Sequence, residues 1–283
     1  LLDHLEKQIA DLKFEIKRAS SPTAKERLET LRKLRIRHLE MLKRTFEPLK
    51  PAAKLNLNQK KAYGYRLPLR QGLLGYFPNL VRDWSGRYET ENQILLQSVL
   101  EILKKSKPVL DSSELRILVL GAGGSRLAYD LAKKFTKSQV VAFDLNPILL
   151  LAAKQIAGGL KISAADLSVS PKDSRQPGQE VELAAPSGAV DNLHFVFGDI
   201  YALPFQTSSF DICVSPWLVD ILPRRFQDLC TSAARVVRPH GVWVNSGSWH
   251  FSFANEAENL SLEEAAEVAG QNGWKPLLAE QME

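Results

Sequence analysis

The stretch ILVLGAGGSRLAYDLA, residues 117–132, joins a short apolar run to a helix-like pattern through a cluster of glycines. The apolar run is typical of a buried strand, and the residues after the glycines have the spacing of an amphipathic helix. Gly121 and Gly123 lie where the predicted strand ends. Because they lack a Cβ atom, they permit a tight turn and let a ligand pack against the main chain. The stretch therefore predicts a ligand-binding turn between a strand and a helix.

Strands and helices continue to alternate after this stretch. Such alternation is typical of a parallel sheet that is covered by helices on both faces. We therefore predict an α/β fold with a doubly wound, mostly parallel sheet, in a domain over residues 111–283. Residues 158–191, which are rich in Ser, Pro, Gly and charge, are predicted to be a flexible insertion. The predicted strands are 116–120, 139–143, 193–197, 210–215 and 241–246, and the predicted helices are 125–135, 147–157, 224–237 and 262–272.

The amino-terminal part of the chain is predicted to be a helical extension over residues 1–50. Leucine and isoleucine recur there every three or four positions, which indicates helices with one apolar stripe each. Pro48 and Pro51 are expected to end the second helix. The two helices are predicted to form a helical hairpin or the arms of a homodimer contact. Residues 51–110 are predicted to be a linker with pre-domain helices, one of them over 92–105, that contributes to the cofactor site.

The composition is ordinary for a globular protein, with 45% hydrophobic and 24% charged residues. No apolar run reaches the roughly 18 residues that can span a bilayer, and no charged-then-apolar leader is present. We therefore expect a cytoplasmic protein that is not bound to a membrane. The cysteines, Cys213 and Cys230, lack the spacing of metal ligands and are expected to be reduced thiols, so no metal site is predicted.

The net charge of +5 lies in the amino-terminal extension. Residues 1–50 carry 13 Lys and Arg against 8 Asp and Glu, whereas the rest of the chain carries 24 of each. A surface that binds nucleic acid would therefore lie on these helices, away from the glycine cluster. A solvated helical face accounts for the same charges, and we favour it because acids are mixed with the bases and aromatic residues are few.

Acids that follow the next two strands narrow the choice of ligand. A dinucleotide-binding turn follows the pattern GxGxxG, but Arg126 stands at the third glycine, where it is expected to hinder close packing of helix on strand. Asp144 ends the second strand, where a carboxylate can accept both hydroxyls of a ribose. Asp199 follows the third strand and can accept from an adenine amino group while Ile200 packs on the ring. With the loop after the fourth strand, this set resembles a class I S-adenosylmethionine-dependent methyltransferase rather than a nicotinamide enzyme. S-adenosyl-L-methionine is therefore the predicted cofactor.

Three further motifs carry a closer resemblance. They are VRDWS at residues 81–85, GAGGSRLA at 121–128, and the segment RPHGVWVNSGSWHFSFANEAENLSLEEAAEVAGQNGW at 238–274. Over about residues 75–275 the chain resembles the carnosine N-methyltransferase family, in which an RDWS motif precedes a GAGxGRLA loop. Members of that family methylate an imidazole nitrogen of a histidine-containing dipeptide. The resemblance implies a small histidine-containing compound as the substrate.

The resemblance also implies the residues of the site. Asp220 falls at the position of the imidazole-binding acid, and His250 at that of a substrate-binding histidine. Asp220 could instead cap the helix predicted near Pro223, His250 could be a core histidine, and Arg82 could pair with a neighbouring acid. The implied cofactor contacts are Asn79, Arg82, Gly121, Gly123, Asp144, Asp199, Ile200, Pro216 and Trp217.

The implied reaction suits the chemistry of imidazole. A carboxylate that accepts the ring N–H fixes the tautomer, so the other nitrogen is free to attack a sulfonium methyl group. The same carboxylate stabilises the imidazolium that forms, and no strong base is needed because the ring is largely neutral near pH 7.

Departures from the family leave alternatives open. Ser125 stands at the family's third loop glycine, and Arg224 and Arg225 follow Asp220 where the family is less basic. The family's last two strands, which carry tyrosines that touch substrate, have no counterpart before Glu283, so they are either truncated or absent. One alternative is an RNA or protein methyltransferase that docks its substrate on the basic helices. Another is a catalytically silent scaffold with the same fold.

Overall fold

A parallel sheet lies at the centre of the protein, seen in a computed structural model that describes residues 2–47, 77–106, 114–167, 173–174, 176–251 and 253–277. The strands of this sheet are β1 (Arg116–Leu120), β2 (Gln139–Asp144), β5 (Leu193–Phe197), β6 (Phe210–Pro216) and β7 (Val237–Ser246). Their order is β5-β2-β1-β6-β7, and every pairing is parallel. The chain moves to one side of β1 and then to the other, so the switch point lies where β1 ends.

Helices cover both faces of the sheet, which confirms the doubly wound α/β prediction. On one face, Ile117 and Val119 pack with α4 (Glu89–Ser106), α5 (Arg126–Lys134) and α6 (Pro147–Ala157). On the other, Leu118 and Leu120 pack with α7 (Phe226–Val236) and α8 (Leu262–Gln271). Alternate residues of β1 therefore enter different apolar clusters, as expected for a strand buried on both sides.

One helix that positions the site was not predicted. This helix, α3 (Phe77–Trp84), begins in a segment that mixes aromatic, glycine and basic residues, which obscured its apolar face. The side chains that this helix buries are Leu80, Val81 and Trp84. The preceding residues 48–76, including the predicted helix ends at Pro48 and Pro51, lie outside the described residues.

Part of the predicted flexible insertion has regular structure. Strands β3 (Ile162–Leu167) and β4 (Gly178–Leu183) pair antiparallel in a separate two-stranded sheet. Val181 and Leu183 are buried while Glu180 and Glu182 are exposed, which is the alternation of a half-buried strand. The alternation covers few residues among Ser, Pro and Gly, and for that reason the sequence pattern did not indicate it.

The second amino-terminal helix packs on this two-stranded sheet. Helices α1 (Leu2–Lys17) and α2 (Pro22–Phe46) form the predicted helical hairpin, and α2 also packs against β3, β4 and α6. Ser21 caps α2 by accepting a hydrogen bond from the amide of Ala24 at 3.1 Å. Most of the apolar side chains that suggested a homodimer contact are buried within the chain, whereas Ile16, Leu28 and Leu31 are half-buried, and the dimer stays a prediction. None of the described helices is both long and apolar enough to cross a bilayer.

Candidate functional site

The glycine loop leaves β1 through three residues with positive φ. Gly121 has φ 62°, Gly123 has φ 54° and Ser125 has φ 66°. Glycine adopts this region without steric cost, whereas a serine there is uncommon and needs support from its surroundings. The amide of Ser125 donates to the carbonyl of Ala122 at 2.6 Å, which closes the turn immediately before α5. The sequence thus predicted the turn correctly, and the structure adds a third left-handed residue to it.

Helix α3 lies against this loop and fixes its far side. The Nε1 atom of Trp84 donates to the carbonyl oxygen of Gly124 at 2.7 Å. A Cβ atom on Gly124 would clash with Oδ2 of Asp83 and would lie 3.2 Å from the carbonyl oxygen of Asn79. Gly124 is therefore required for the close approach of α3, a role that the sequence pattern alone did not indicate.

We expect Gly124→Ala to destabilise the protein by about 1–3 kcal/mol, as overpacking of a close contact does. The added methyl group must displace the buried Asp83 carboxylate or move α3 away from the loop. Urea denaturation measures the change. Gly270→Ala is the matched control, because a Cβ there meets nothing within 4 Å and alanine favours the helix. Equal stabilities of the two variants would contradict the assignment.

Arg126 begins α5 and is almost wholly buried, with 2% of its side chain exposed. Its Nη1 and Nη2 atoms donate to the Glu89 carboxylate at 2.9 and 2.7 Å, and its Nε donates to the Asp130 carboxylate at 2.9 Å. Nη1 also donates to the carbonyl oxygen of Asp83 at 3.1 Å. The expectation that this arginine hinders helix packing is therefore wrong, because each nitrogen of its guanidinium has a partner and the group ties α5 to α3 and α4. Burial raises the pKa of Asp130 to about 6, although Arg126 opposes the shift.

Arg82 and Asn79, the predicted upstream contacts, both lie on α3. The Nε and Nη2 atoms of Arg82 contact Oδ1 of Asp83 at 2.8 and 2.7 Å. The alternative of an ion pair with a neighbouring acid is therefore realised. Arg82 keeps 40% of its side chain exposed, so the remaining N–H groups of its guanidinium can meet a ligand. Asn79 is one helical turn earlier, and its carbonyl oxygen approaches Gly124.

Asp144 connects the end of β2 to the glycine loop. Its Oδ2 accepts from the amide of Gly123 at 2.8 Å, and its Oδ1 accepts from the amide of Asn146 at 2.7 Å. Burial raises the pKa of this carboxyl to about 6, while these amides act in the opposite direction. Of the roughly four lone-pair positions of a carboxylate, the amides of Gly123, Asn146 and Leu145 take up to three, so at least one is left for a ribose hydroxyl.

Asp199 follows the neighbouring strand at the same edge of the sheet. Strand β5 pairs with β2, and the amide of Gly198 donates to the carbonyl oxygen of Asp144 at 3.1 Å. Oδ1 of Asp199 accepts from the amide of Tyr201 at 2.9 Å and caps a short 3₁₀ helix, and Ile200 is buried. The structure therefore brings the two predicted acids to adjoining strand ends.

Pro216 and Trp217 lie where β6 ends. Pro216 is buried opposite Ser246 of β7, whereas the ring of Trp217 is exposed. Trp217 has φ 49°, which is uncommon for a bulky residue. Its amide donates to the carbonyl oxygen of Ser246 at 2.7 Å, and this bond holds the strained turn. An exposed aromatic ring is thus presented beside the carboxyl ends of the strands.

Asp220 does not cap a helix. It lies within the short 3₁₀ helix Val219–Ile221, and α7 begins later, after Arg225 as its N-cap. Oδ1 of Asp220 is buried without a hydrogen-bond partner among the described residues. Oδ1 of Asn245, near the end of β7, is also buried without a hydrogen-bond partner among the described residues. An unpaired buried acceptor is costly, so both atoms are open to a donor from water or from a ligand. The sequence analysis did not select Asn245 as a candidate site residue. The one feature that could have indicated it is its place as a polar residue in an otherwise apolar strand.

His250 lies beyond β7 and is exposed, so the alternative of a core histidine is wrong. Its backbone amide donates to Oγ of Ser248 at 3.1 Å. The described hydrogen bonds include none between its ring and Asp220. A joint role for these two residues stays a prediction.

Comparisons with known proteins agree on a family. The sequence model of a family described as carnosine N-methyltransferase matches residues 73–282. The chain is similar to carnosine N-methyltransferase of Rattus norvegicus, with 24% identity over 197 residues that cover 65% of this chain and 48% of the relative. The values for the Mus musculus protein of the same name are identical. The chain thus spans about half the length of the curated relatives it matches.

The solved structures that align with part of this chain include two methyltransferases. Phosphoethanolamine N-methyltransferase 2 of Haemonchus contortus, in complex with S-adenosyl-L-methionine, has a TM-score of 0.45 and 20% identity, covering 75% of this chain and 44% of that one. A SAM-dependent methyltransferase from Aquifex aeolicus has a TM-score of 0.44 and 12% identity, covering 72% and 89%.

Proposed function

The chain belongs to the carnosine N-methyltransferase family, and from this premise we propose that it methylates an imidazole nitrogen of a small histidine-containing compound with S-adenosylmethionine. The observation that carries the proposal is the hydrogen bond of 2.8 Å between Asp144 and the amide of Gly123. It joins the acid at the end of β2 to the glycine loop, which is the arrangement needed to hold a nucleoside at the switch point of the sheet.

The residues at this edge fit the parts of S-adenosylmethionine, whose sulfonium supplies an electrophilic methyl group. Asp144 accepts from the ribose hydroxyls, and Asp199 accepts from the adenine amino group. Gly123, where an added Cβ atom would meet nothing within 4 Å, leaves room for the ligand to lie on the main chain, whereas the space beside Gly121 is taken by Leu218. Arg82 donates to the methionine carboxylate through the N–H groups that Asp83 does not occupy. Ile200, which follows Asp199, is buried. It would therefore contact the adenine ring with one edge of its side chain.

Asp220 is assigned to the acceptor. Its carboxylate accepts the imidazole N–H, which leaves the lone pair of the other nitrogen directed at the methyl carbon. As the carbon–nitrogen bond forms and the carbon–sulfur bond breaks, the ring becomes an imidazolium whose charge the carboxylate stabilises. The ring proton is lost to water after the transfer. Most of the rate comes from holding nitrogen, carbon and sulfur in line at near contact. Pro216 and Trp217, where β6 ends, are proposed to lie against the cofactor, and His250, past β7, is proposed to border the acceptor.

Methyl transfer can be tested directly with methyl-labelled S-adenosylmethionine. The purified protein is incubated with carnosine, a histidine-containing peptide or transfer RNA, and the products are read by mass spectrometry. We expect label on the imidazole ring of the dipeptide. Label confined to the peptide or the RNA would replace the small acceptor by a macromolecule. Folded protein that gives no heat of binding with S-adenosylmethionine in calorimetry would remove the proposal in favour of a silent scaffold.

The affinity for S-adenosylmethionine is expected to fall as the pH drops through about 6, the value to which burial raises the pKa of Asp144. Ribose hydroxyls donate to the ionised carboxyl, so binding favours the deprotonated form and weakens by about tenfold per unit well below that pKa. Calorimetric titration from pH 5 to 8 measures the trend. Asp144→Asn is the control, since it should bind about 10–100-fold more weakly at pH 8 and lose this pH dependence. A wild-type affinity that is constant over this range would contradict the ribose contact.

A further inference from the structure

The amino end of α5 is occupied by a side chain of the protein itself. In dinucleotide-binding folds, free amides at this place, immediately after the glycine loop, hold a pyrophosphate. Here Oδ2 of Asp83 accepts from the amide of Arg126, the first residue of α5, at 3.4 Å. The same oxygen lies against Gly124, and Asp83 is only 2% exposed. A carboxylate therefore stands where a phosphate would stand.

The negative charge of this buried carboxylate is balanced from two sides. Oδ1 receives the Nε and Nη2 atoms of Arg82 at 2.8 and 2.7 Å, and Oδ2 faces the positive end of the α5 dipole. Burial raises the pKa of the Asp83 carboxyl, and the Arg82 guanidinium acts most strongly in the opposite direction. Both interactions favour the ionised form of Asp83.

The place of Asp83 is fixed by contacts on both sides of it. Its carbonyl oxygen accepts from Nη1 of Arg126 at 3.1 Å, and the next residue, Trp84, donates to Gly124. The backbone that carries the carboxylate is therefore tied to the loop independently of the carboxylate itself. A substitution that removes only the charge should leave α3 in place.

We propose that Asp83 is a positioning residue that sets the cofactor class of this site. Its carboxylate takes the anion position at the amino end of α5 and so denies that position to the pyrophosphate of a dinucleotide. It also holds the Arg82 guanidinium beside the glycine loop, directed at the methionine carboxylate of S-adenosylmethionine. The inference rests on the proposed function, because it concerns the same cofactor site.

The test compares S-adenosylmethionine with its decarboxylated form, which lacks the group that Arg82 binds. We expect the wild type to bind the intact cofactor at least tenfold more tightly than the decarboxylated one, as measured by calorimetry. Asp83→Asn, which keeps the shape but not the charge, is expected to reduce this ratio at least fivefold. ADP-ribose, which carries a pyrophosphate, is expected to give no binding to the wild type.

Asp211→Asn is the matched control. Asp211 is also 2% exposed, accepts a hydrogen bond from the amide of Arg116 at 2.9 Å and pairs with Arg238. It lies near the amino end of β6, whereas the proposed cofactor site lies at the carboxyl ends of the strands. This variant should lose stability like Asp83→Asn and yet keep the wild-type ratio of the two affinities. A loss of the ratio in both variants would reduce Asp83 to a purely structural role and overturn the proposal.

The remaining outcomes separate the two hypotheses. Wild-type protein that binds neither form of the cofactor would remove the proposed function and this inference together. The inference alone would be overturned if the wild type discriminates as expected but the ratio of the two affinities is unchanged in Asp83→Asn. Measurable binding of ADP-ribose to a wild type that discriminates as expected would also overturn it alone. If Asp83→Asn fails to give a cooperative melting transition, Arg82→Gln replaces it, and an unchanged ratio in that variant overturns the positioning role equally.

Discussion

Asp220→Ala is expected to lower the rate of imidazole methylation by about 10²–10⁴-fold, the range that a positioned acid–base or charge-stabilising group contributes. Under the proposed function, the carboxylate fixes the tautomer of the acceptor and stabilises the imidazolium, and both contributions appear during methyl transfer. The dissociation constant of S-adenosylmethionine should stay within about twofold, because the proposed nucleoside contacts lie at the ends of β2 and β5. Single-turnover kinetics with labelled cofactor and calorimetry measure the two quantities separately.

Two further variants sharpen this expectation. Asp220→Asn keeps an acceptor oxygen without the charge, so an intermediate rate would separate orientation of the ring from stabilisation of its charge. Asp228→Ala removes a carboxylate of α7 that pairs with Arg225 at 3.5 Å, and we expect it to leave the rate unchanged. Full turnover in Asp220→Ala would show that another group holds the acceptor, and the unpaired Asn245 would be the first to examine.

Arg126→Met is expected to have the largest effect on stability, a loss of about 3–5 kcal/mol in the free energy of unfolding. Methionine preserves the length of the side chain and a good helix propensity. The loss arises because Asp130, which is 8% exposed, is left as a buried carboxylate without its cation. Glu89 contributes less, since it is 41% exposed and water can replace the guanidinium.

The pH dependence of this loss tests its cause. A carboxyl whose pKa is raised in the folded state contributes stability at low pH, and that contribution is lost as the pH rises through the folded pKa, which is about 6 for Asp130. Without Arg126 this pKa should rise further, so the variant should be destabilised more at pH 8 than at pH 5. Urea denaturation at both values measures the difference. Lys134→Met, at an exposed position of the same helix, should show little loss at either pH.

The sequence indicated the core of the site because the relevant signals are local. An apolar strand, a glycine turn and a helix follow one another directly, and each imposes its own periodicity. Asp144 and Asp199 could be placed together in advance, since parallel strands end at one edge of the sheet and each acid follows its strand. In the structure, the register of β2 and β5 places Asp144 opposite Phe197, two residues before Asp199.

Long-range pairing decided what the sequence pattern could not. Arg126 was expected to disturb packing, yet it is satisfied by Glu89, which lies 37 residues earlier in the chain, and by Asp83, 43 residues earlier. Local spacing carries no information about such partners. The same limit applies to Asp220: the sequence left a helix cap and ligand binding both open, and only the observed start of α7 after Arg225 excluded the cap.

By itself, the amino-acid sequence determined the doubly wound sheet, the tight glycine turn and the acids at the strand ends, because these depend on periodicity and on residues near one another. Only the tertiary structure decided that α3 covers the glycine loop, that Arg126 is a buried anchor and that Asp83 occupies the amino end of α5. The physical reason is that a buried charge is stable only with its partners, and folding chooses those partners from distant parts of the chain.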